Sequence, residues 1–265
     1  MKSAFPKAFY WPGAKWWMLP ILHRYLPPAF NAVRIPFCGR LDFLHILRSD
    51  GFEGHAFCSD LNHRIVEAHV GMRDCSDGVI RELEIHRTGH TSDYYIKIRD
   101  RHSPDQPIAS KAADFIYLSR STHKGILKQS KDGAITASSA NRPFGFDPTV
   151  IRTHSKVLRN TTIVQEDFAA TMIMAKPGEL VLADPEYLDS PVYGVMGFTA
   201  ADQIRLAHAC RRLHGRGVNF LVTNSDEPFI RHLYSDFVIT PVMAPRVLGQ
   251  KLNDGTQIEL VITNY

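Results

Sequence analysis

A chain of 265 residues, 44% hydrophobic and 22% charged, has the composition of an ordinary globular protein, with room for one domain and an insertion or for two modest domains. Its formal net charge of +4 is compatible with a nucleic-acid partner without demanding one. No apolar run reaches membrane-spanning length, no charged-then-apolar leader precedes a cleavage site, and Cys38, Cys58, Cys75 and Cys210 form no Cys-x-x-Cys pair. These features speak against a membrane protein, a disulfide scaffold and a metal site, and a cytoplasmic monomer is expected.

The N-terminal stretch sets Phe9, Tyr10, Trp11, Trp16 and Trp17 around a Pro12-Gly13 turn with one cation, Lys15. Met18, Leu19, Ile21, Leu22 and Leu26 follow at roughly helical spacing. Such a loop either holds an adenosine and a carboxylate or anchors the N-terminus on the core. Residues 34–43 read as a short apolar strand that turns at Gly39 into a helix from Phe43 to Leu47. A second strand, residues 54–60, ends on Asp60. An acid there binds a ribose hydroxyl pair in nucleotide-binding α/β units, and Asp60 or Asn62 serves equally well as the cap of the next helix.

From 74 to 152 the sequence turns polar, basic and histidine-rich. A helix is expected over Ala109 to Ser121, followed by a turn-rich basic hairpin or loop. Lys124, Lys128, Lys131 and Arg142 suit phosphate contacts, and Gln129 or Asn141 base edges; a merely solvated charge run has the same composition. Residues 161–164 form a strand with Glu166-Asp167-Phe168 at its end. Thr199 and Asp202 form a capping box for a helix that turns Ile204, Ala207, Cys210 and Leu213 inward, and strands at 218–224 and 257–265 complete the chain. Alternating strands and helices predict a mostly parallel α/β sheet covered on both faces. The α/β frame then comprises residues 1–73 and 153–265, with 74–152 inserted.

The central strand is Glu179 to Ala183, whose apolar run opens into Asp184-Pro185-Glu186-Tyr187. An exocyclic amine on a nucleobase is a poor nucleophile, because its lone pair is delocalised into the ring. A carboxylate from Asp184 and the carbonyl of Pro185 can each accept one amine hydrogen and localise that pair. Tyr187 offers a face for a base extruded from a duplex.

With these pieces in order, the sequence resembles the Dam-like family of DNA adenine methyltransferases along nearly its whole length. Trp11-Pro12-Gly13-Ala14-Lys15 is similar to the family's N-terminal Trp-x-Gly-Gly-Lys segment, and Pro36-Phe37-Cys38-Gly39 to the first half of its Glu-Pro-Phe-x-Gly-x-Gly loop. Asp60-Leu61-Asn62 resembles its Asp-x-Asn, Glu166-Asp167-Phe168 its cofactor-adenine segment, and Val222-Thr223-Asn224-Ser225-Asp226 its Ser-Asn-x-Asp strand end. Residues 115–120 with 141–145 look like its target-recognition helix and hairpin, and Asp184-Pro185-Glu186-Tyr187 stands at its Asp-Pro-Pro-Tyr.

The resemblance implies a Rossmann-like fold, S-adenosylmethionine as methyl donor and a flipped adenine of double-stranded DNA as acceptor, without metal. It implies Asp184, Pro185, Glu186 and Tyr187 as the catalytic segment. Tyr10, Trp11, Lys15, Phe37, Cys38, Gly39, Asp60, Leu61, Asp167 and Phe168 would hold the cofactor, and Arg120, Lys124, Lys128, Asn141 and Arg142 would meet DNA.

Two positions depart from the family. Glu186 replaces a proline, which relaxes the turn by about 0.4–1 kcal/mol and adds a charge. Turned toward Asp184, that charge would drive one of the two acids to its protonated form; turned to solvent, it would change little. Leu41 replaces the second loop glycine and is expected to reshape the methionine end of the pocket. Arg40 beside it could read a donor with an extra carboxylate, which would transfer a group other than methyl. A DNA-binding protein without turnover is the competing reading that these departures allow.

Overall fold

Runs of apolar residues make the inner strands, because a parallel strand covered on both faces has no polar side. In the computed structural model, which describes residues 7–13, 15–123, 127–128, 134–140, 142–188, 197–245 and 256–265, seven strands form one sheet. They are β1 (Ala32–Ile35), β2 (His55–Asp60), β3 (Thr161–Gln165), β4 (Glu179–Ala183), β5 (Asn219–Ser225), β6 (Val238–Pro245) and β7 (Thr256–Thr263). Their order is β3-β2-β1-β4-β5-β7-β6. The first five are parallel, and β7 runs antiparallel between β5 and β6. Strand order reverses between β1 and β4, so a crevice opens at their carboxyl ends, where open α/β sheets bind ligands.

Nine helices are described: α1 (Asp42–Ser49), α2 (His63–Asp74), α3 (Ser76–Gly89), α4 (Ser92–Asp100), α5 (Ile108–Ser121), α6 (Pro148–Val157), α7 (Phe168–Ile173), α8 (Ala200–Gly215) and α9 (Pro228–Leu233). Asn62 caps α2 by accepting from the Arg64 amide, and Thr199 with Asp202 closes the capping box of α8. Helix α8 turns Gln203, Leu206, Ala207 and Cys210 inward, while Ile204, expected inside, is 39% exposed. The helical spacing after Lys15 yields only two 3-10 turns, Trp16–Met18 and Leu22–Arg24. Pro20 lacks an amide donor and Pro27 and Pro28 follow, so no α-helix can run through the segment.

Helices α3 and α5 pack together and α5 lies along α2, so Leu83, Tyr95 and Phe115 share one buried cluster with Val33 and Leu44. Gly71 allows the close approach of α2 to α5: a Cβ there would lie 2.4 Å from Ala112 Cβ and 2.9 Å from the Ile108 carbonyl. Beyond α5 the described residues contain one isolated bridge, Thr122 to Ser139. Lys124, Gln129, Lys131 and Asn141, expected on the hairpin, lie outside the described residues. Among the described residues no helix is long and apolar enough to cross a membrane.

Candidate active site

The end of β4 delivers Asp184 into the crevice beside a residue from the other end of the chain. Lys15 Nζ lies 3.0 Å from Asp184 Oδ1, and the lysine side chain is only 3% exposed. The same ammonium donates to Tyr187 Oη at 3.2 Å and stands 3.3 Å from Glu259 Oε2. Thr223, on neighbouring β5, donates its hydroxyl to Asp184 Oδ1 at 2.7 Å. Both of these Asp184 contacts fall on one oxygen, and the carboxylate keeps 17% of its surface accessible.

Burial drives the Asp184 carboxyl up to about 6; Lys15 and the Thr223 hydroxyl pull against it, and Glu259 adds to it. Asp184 is therefore ionised at neutral pH yet close enough to neutrality to take a proton. Burial alone would lower the Lys15 ammonium, but Asp184, Tyr187 and Glu259 around it hold it well above its ordinary value. Burial keeps the Tyr187 phenol protonated.

Glu186 takes neither orientation anticipated from the sequence. Its carboxyl is pushed up to about 8 by burial and then by the charge of Asp60, with no contribution from Asp184. Glu186 Oε2 is buried without a hydrogen-bond partner. At neutral pH the side chain is thus largely an uncharged acid on the Asp60 side of the crevice, and the added charge does not bear on Asp184. The Glu186 carbonyl accepts from Gln203 Nε2 at 3.1 Å, and Gln203 Oε1 accepts from Asn224 Nδ2 at 2.9 Å. This buried relay fixes the segment to α8 and β5.

A raised carboxyl holds its proton more tightly folded than unfolded. The stability it contributes is therefore complete below its ordinary value of 4.5 and is lost as pH rises through about 8. Glu186→Gln, which cannot ionise, is expected to unfold less readily than wild type above pH 8, by on the order of 2–4 kcal/mol. Denaturant titrations at pH 4 and pH 9 check this; equal differences at both would refute it.

The loop after β1 carries the second departure. Leu41 adopts a left-handed conformation with φ 59°, the region in which a glycine is at ease. Its side chain is 1% exposed, inside the core. The expectation that Leu41 reshapes the methionine end of the pocket is therefore corrected: its side chain packs inward, and its cost lies in the backbone. Arg40 pairs with Asp42 at 2.8 Å with its side chain 8% exposed, and Asp42 Oδ2 accepts the Lys15 amide at 2.7 Å. Arg40 thus ties the loop to the N-terminal segment rather than presenting a free guanidinium to a donor carboxylate.

The remaining expected cofactor residues gather at the ends of β1, β2 and β3. Asp60 accepts the amides of Gly39 and Asn62, both at 3.0 Å. A Cβ on Gly39 would lie 3.5 Å from Trp11 Cδ1. Phe37 stacks on Phe168 with centroids 5.2 Å apart, and Leu61 presents an apolar side chain that is 57% exposed. Asp167 caps α7 through the Ala169 amide and also pairs with Arg205 at 2.8 Å. Tyr10 is held on α5, its amide on Ser119 Oγ and its ring under the Arg120 guanidinium. Cys38 is 3% exposed, and burial pushes its thiol well above the ordinary value, so it packs rather than reacts.

His69, which nothing in the sequence marks, donates Nε2 to the Gly39 carbonyl at 2.7 Å. Thr223 lay within a segment read as a strand end. Glu259 carried a detectable signal, a charge inside an otherwise apolar strand.

The residues expected to meet DNA are disposed differently. Arg120 directs its guanidinium onto the carbonyls of Lys7 and Gly145 at 2.8 and 3.0 Å, so it braces the N-terminal segment. Arg142 is exposed and donates to the Arg120 carbonyl at 3.0 Å, and Lys128 is exposed. Among the described residues one group could converge on a cation: His63, Glu67 and His102, with ligand atoms within 4.8 Å of one another. Lys111 Nζ already stands 3.0 Å from Glu67 and His102 3.1 Å from it, so the carboxylate has its cation and the group links α2 to α5.

A type II methyltransferase of Lactococcus lactis subsp. cremoris, M1.LlaDCHI, is 26% identical, covering 96% of this chain and 94% of the relative. The retron Ec67 DNA adenine methylase of Escherichia coli is 26% identical over 90% of this chain and 84% of its own. The DNA adenine methylase of Serratia marcescens is 24% identical over 96% of each. Residues 11–247, from the tryptophan that packs on Gly39 to beyond the end of β6, match a single family model, and the chain belongs to the D12 class N6 adenine-specific DNA methyltransferases.

Proposed function

We propose that this adenine-specific DNA methyltransferase uses S-adenosylmethionine to methylate the 6-amino group of an adenine flipped out of double-stranded DNA, with Asp184 as the residue that activates the amine. The observation that carries this reading is the buried Lys15, Asp184, Thr223 cluster at the switch point of the sheet. Lys15 and Thr223 hold one Asp184 oxygen and keep the group ionised. The carboxylate then accepts one amine hydrogen while the Pro185 carbonyl takes the other, which localises the nitrogen lone pair for attack. Tyr187, anchored by Lys15 at its hydroxyl, provides the stacking face.

The donor supplies a methyl group activated by a positively charged sulfur. Trp11, Phe37, Gly39, Asp60, Leu61 and Phe168 suit its adenosine portion, since they combine aromatic faces, an exposed leucine, a close backbone approach and an acid at the end of the second strand. As the new N–C bond forms and the S–C bond breaks, the amine must shed a proton. Asp184, with its carboxyl near 6, is the adjacent base. The exposed Lys128 and Arg142, with the inserted residues 74–152, are proposed to face the DNA, and the chain to act as a cytoplasmic monomer. A protein retained for DNA binding alone would have no need to keep Lys15, Thr223, Asp184 and Tyr187 in mutual contact. Mass spectrometry of nucleosides from DNA of cells expressing the chain is expected to reveal N6-methyladenine that an Asp184→Ala control lacks. Identical profiles would overturn the proposal.

A further inference from the structure

Strand β7 reverses the usual placement of apolar residues inward and polar residues outward at one pair of positions. Ile258 is 48% exposed while its neighbour Glu259 is 4% exposed, so the acid faces inward and the isoleucine outward. Local rules are broken in this way where a site needs the residue. Glu259 sits opposite Ser225 of β5, and its Oε1 accepts from Gln257 Nε2 at 3.1 Å. Its Oε2 lies 3.3 Å from Lys15 Nζ, and its carboxylate also faces the Tyr187 phenol. Lys15 already serves Asp184 at 3.0 Å and the Tyr187 hydroxyl at 3.2 Å. Two buried carboxylates thus share one ammonium, and nearby Arg40 is engaged by Asp42.

A buried charge without its own counterion is costly, and the cost falls when a cation enters beside it. The methyl donor of the proposed reaction is such a cation, and its demethylated thioether product is neutral. In-line attack on an amine held by Asp184 brings the sulfonium to the same end of the sheet as this cluster.

We infer that Glu259 is a specificity-determining residue: its carboxylate leaves the pocket one negative charge in excess, so that the cationic donor is preferred over its neutral thioether product. The inference rests on the S-adenosylmethionine reading above. Glu259 discriminates by charge, while the group that touches the amine is Asp184.

Isothermal titration calorimetry of the full chain at pH 8 and low salt, without DNA, tests this with three ligands. They are S-adenosylmethionine, sinefungin, which carries an ammonium in place of the methylated sulfonium, and S-adenosylhomocysteine. The wild-type chain is expected to bind both cations more tightly than S-adenosylhomocysteine. Glu259→Gln keeps the shape and the acceptor for Gln257, and is expected to narrow that preference about tenfold while the affinity for S-adenosylhomocysteine stays within about twofold. Glu259→Asp, which keeps the charge, is expected to retain the preference. An unchanged preference in the Gln variant, a parallel loss for all three ligands, or loss of the preference in the Asp variant would overturn the inference and leave the donor reading intact. Failure of the wild-type chain to bind any of the three would defeat the donor reading itself, and this inference with it.

Discussion

Asp184→Asn is expected to lower methyl incorporation into double-stranded DNA by roughly 10²–10⁴-fold, the range associated with a positioned proton acceptor, while melting no lower than wild type at pH 8. The two halves of this result have one cause. The carboxyl is raised from 3.8 to about 6 because burial penalises its charge more than Lys15 and Thr223 compensate. A raised carboxyl contributes its stability below the ordinary value and loses it as pH rises through about 6, so at pH 8 the ionised group costs about 3 kcal/mol. Asparagine removes that cost and with it the charge that localises the amine lone pair. Labelled-methyl incorporation and thermal melts of the same preparations check both halves. A variant that loses activity only in proportion to lost folded protein would refute the assignment of Asp184 as a chemical rather than a structural group.

Lys15→Met is expected to have the opposite balance, with stability lost as well as activity. Removing the ammonium leaves Asp184 and Glu259 buried without the cation they share. Stripping one partner from such a buried cluster costs about 3–5 kcal/mol. The sign of the pH dependence follows from Asp184. Without Lys15 its carboxyl rises further, so the penalty is largest above pH 6 and fades toward pH 4 as Asp184 protonates. Denaturant titrations at pH 4.5 and pH 8 should therefore show wild type and variant converging in acid. A pH-independent difference would point to lost packing of the lysine stem.

Much of this arrangement was legible in the sequence because it is local. Strands β2, β4 and β5 carry apolar runs that stop at polar residues, and Asp60 at the end of β2 and Asp184 just after β4 fall where the chain pattern places them. The Thr199 and Asp202 capping box is a contact within one turn, readable from spacing alone. Strand β6 was not legible, since Pro241 and Pro245 argue against a strand; at an edge that pairs only with β7, prolines are tolerated.

The direction of Glu186 was equally hidden. Whether its carboxyl faces Asp184, solvent or Asp60 depends on how the strand ends are arranged around the crevice, which neighbours in sequence do not determine. Arg120 illustrates the same limit of local reasoning: basic composition suggests a phosphate contact, and the fold brings the Lys7 and Gly145 carbonyls to its guanidinium instead.

The meeting of Lys15, Asp184 and Glu259 also bears on when the protein becomes competent during its own synthesis. Chains leave the ribosome from the N-terminus onward, so Lys15 emerges first, Asp184 much later and Glu259 after that. Strand β7 must then insert between β5 and β6, both made before it. Until that insertion a nascent chain can fold β1, β2 and β4 yet lacks the second acid of the cluster. The charge pattern around Lys15 is therefore complete only once β7 has taken its place between β5 and β6.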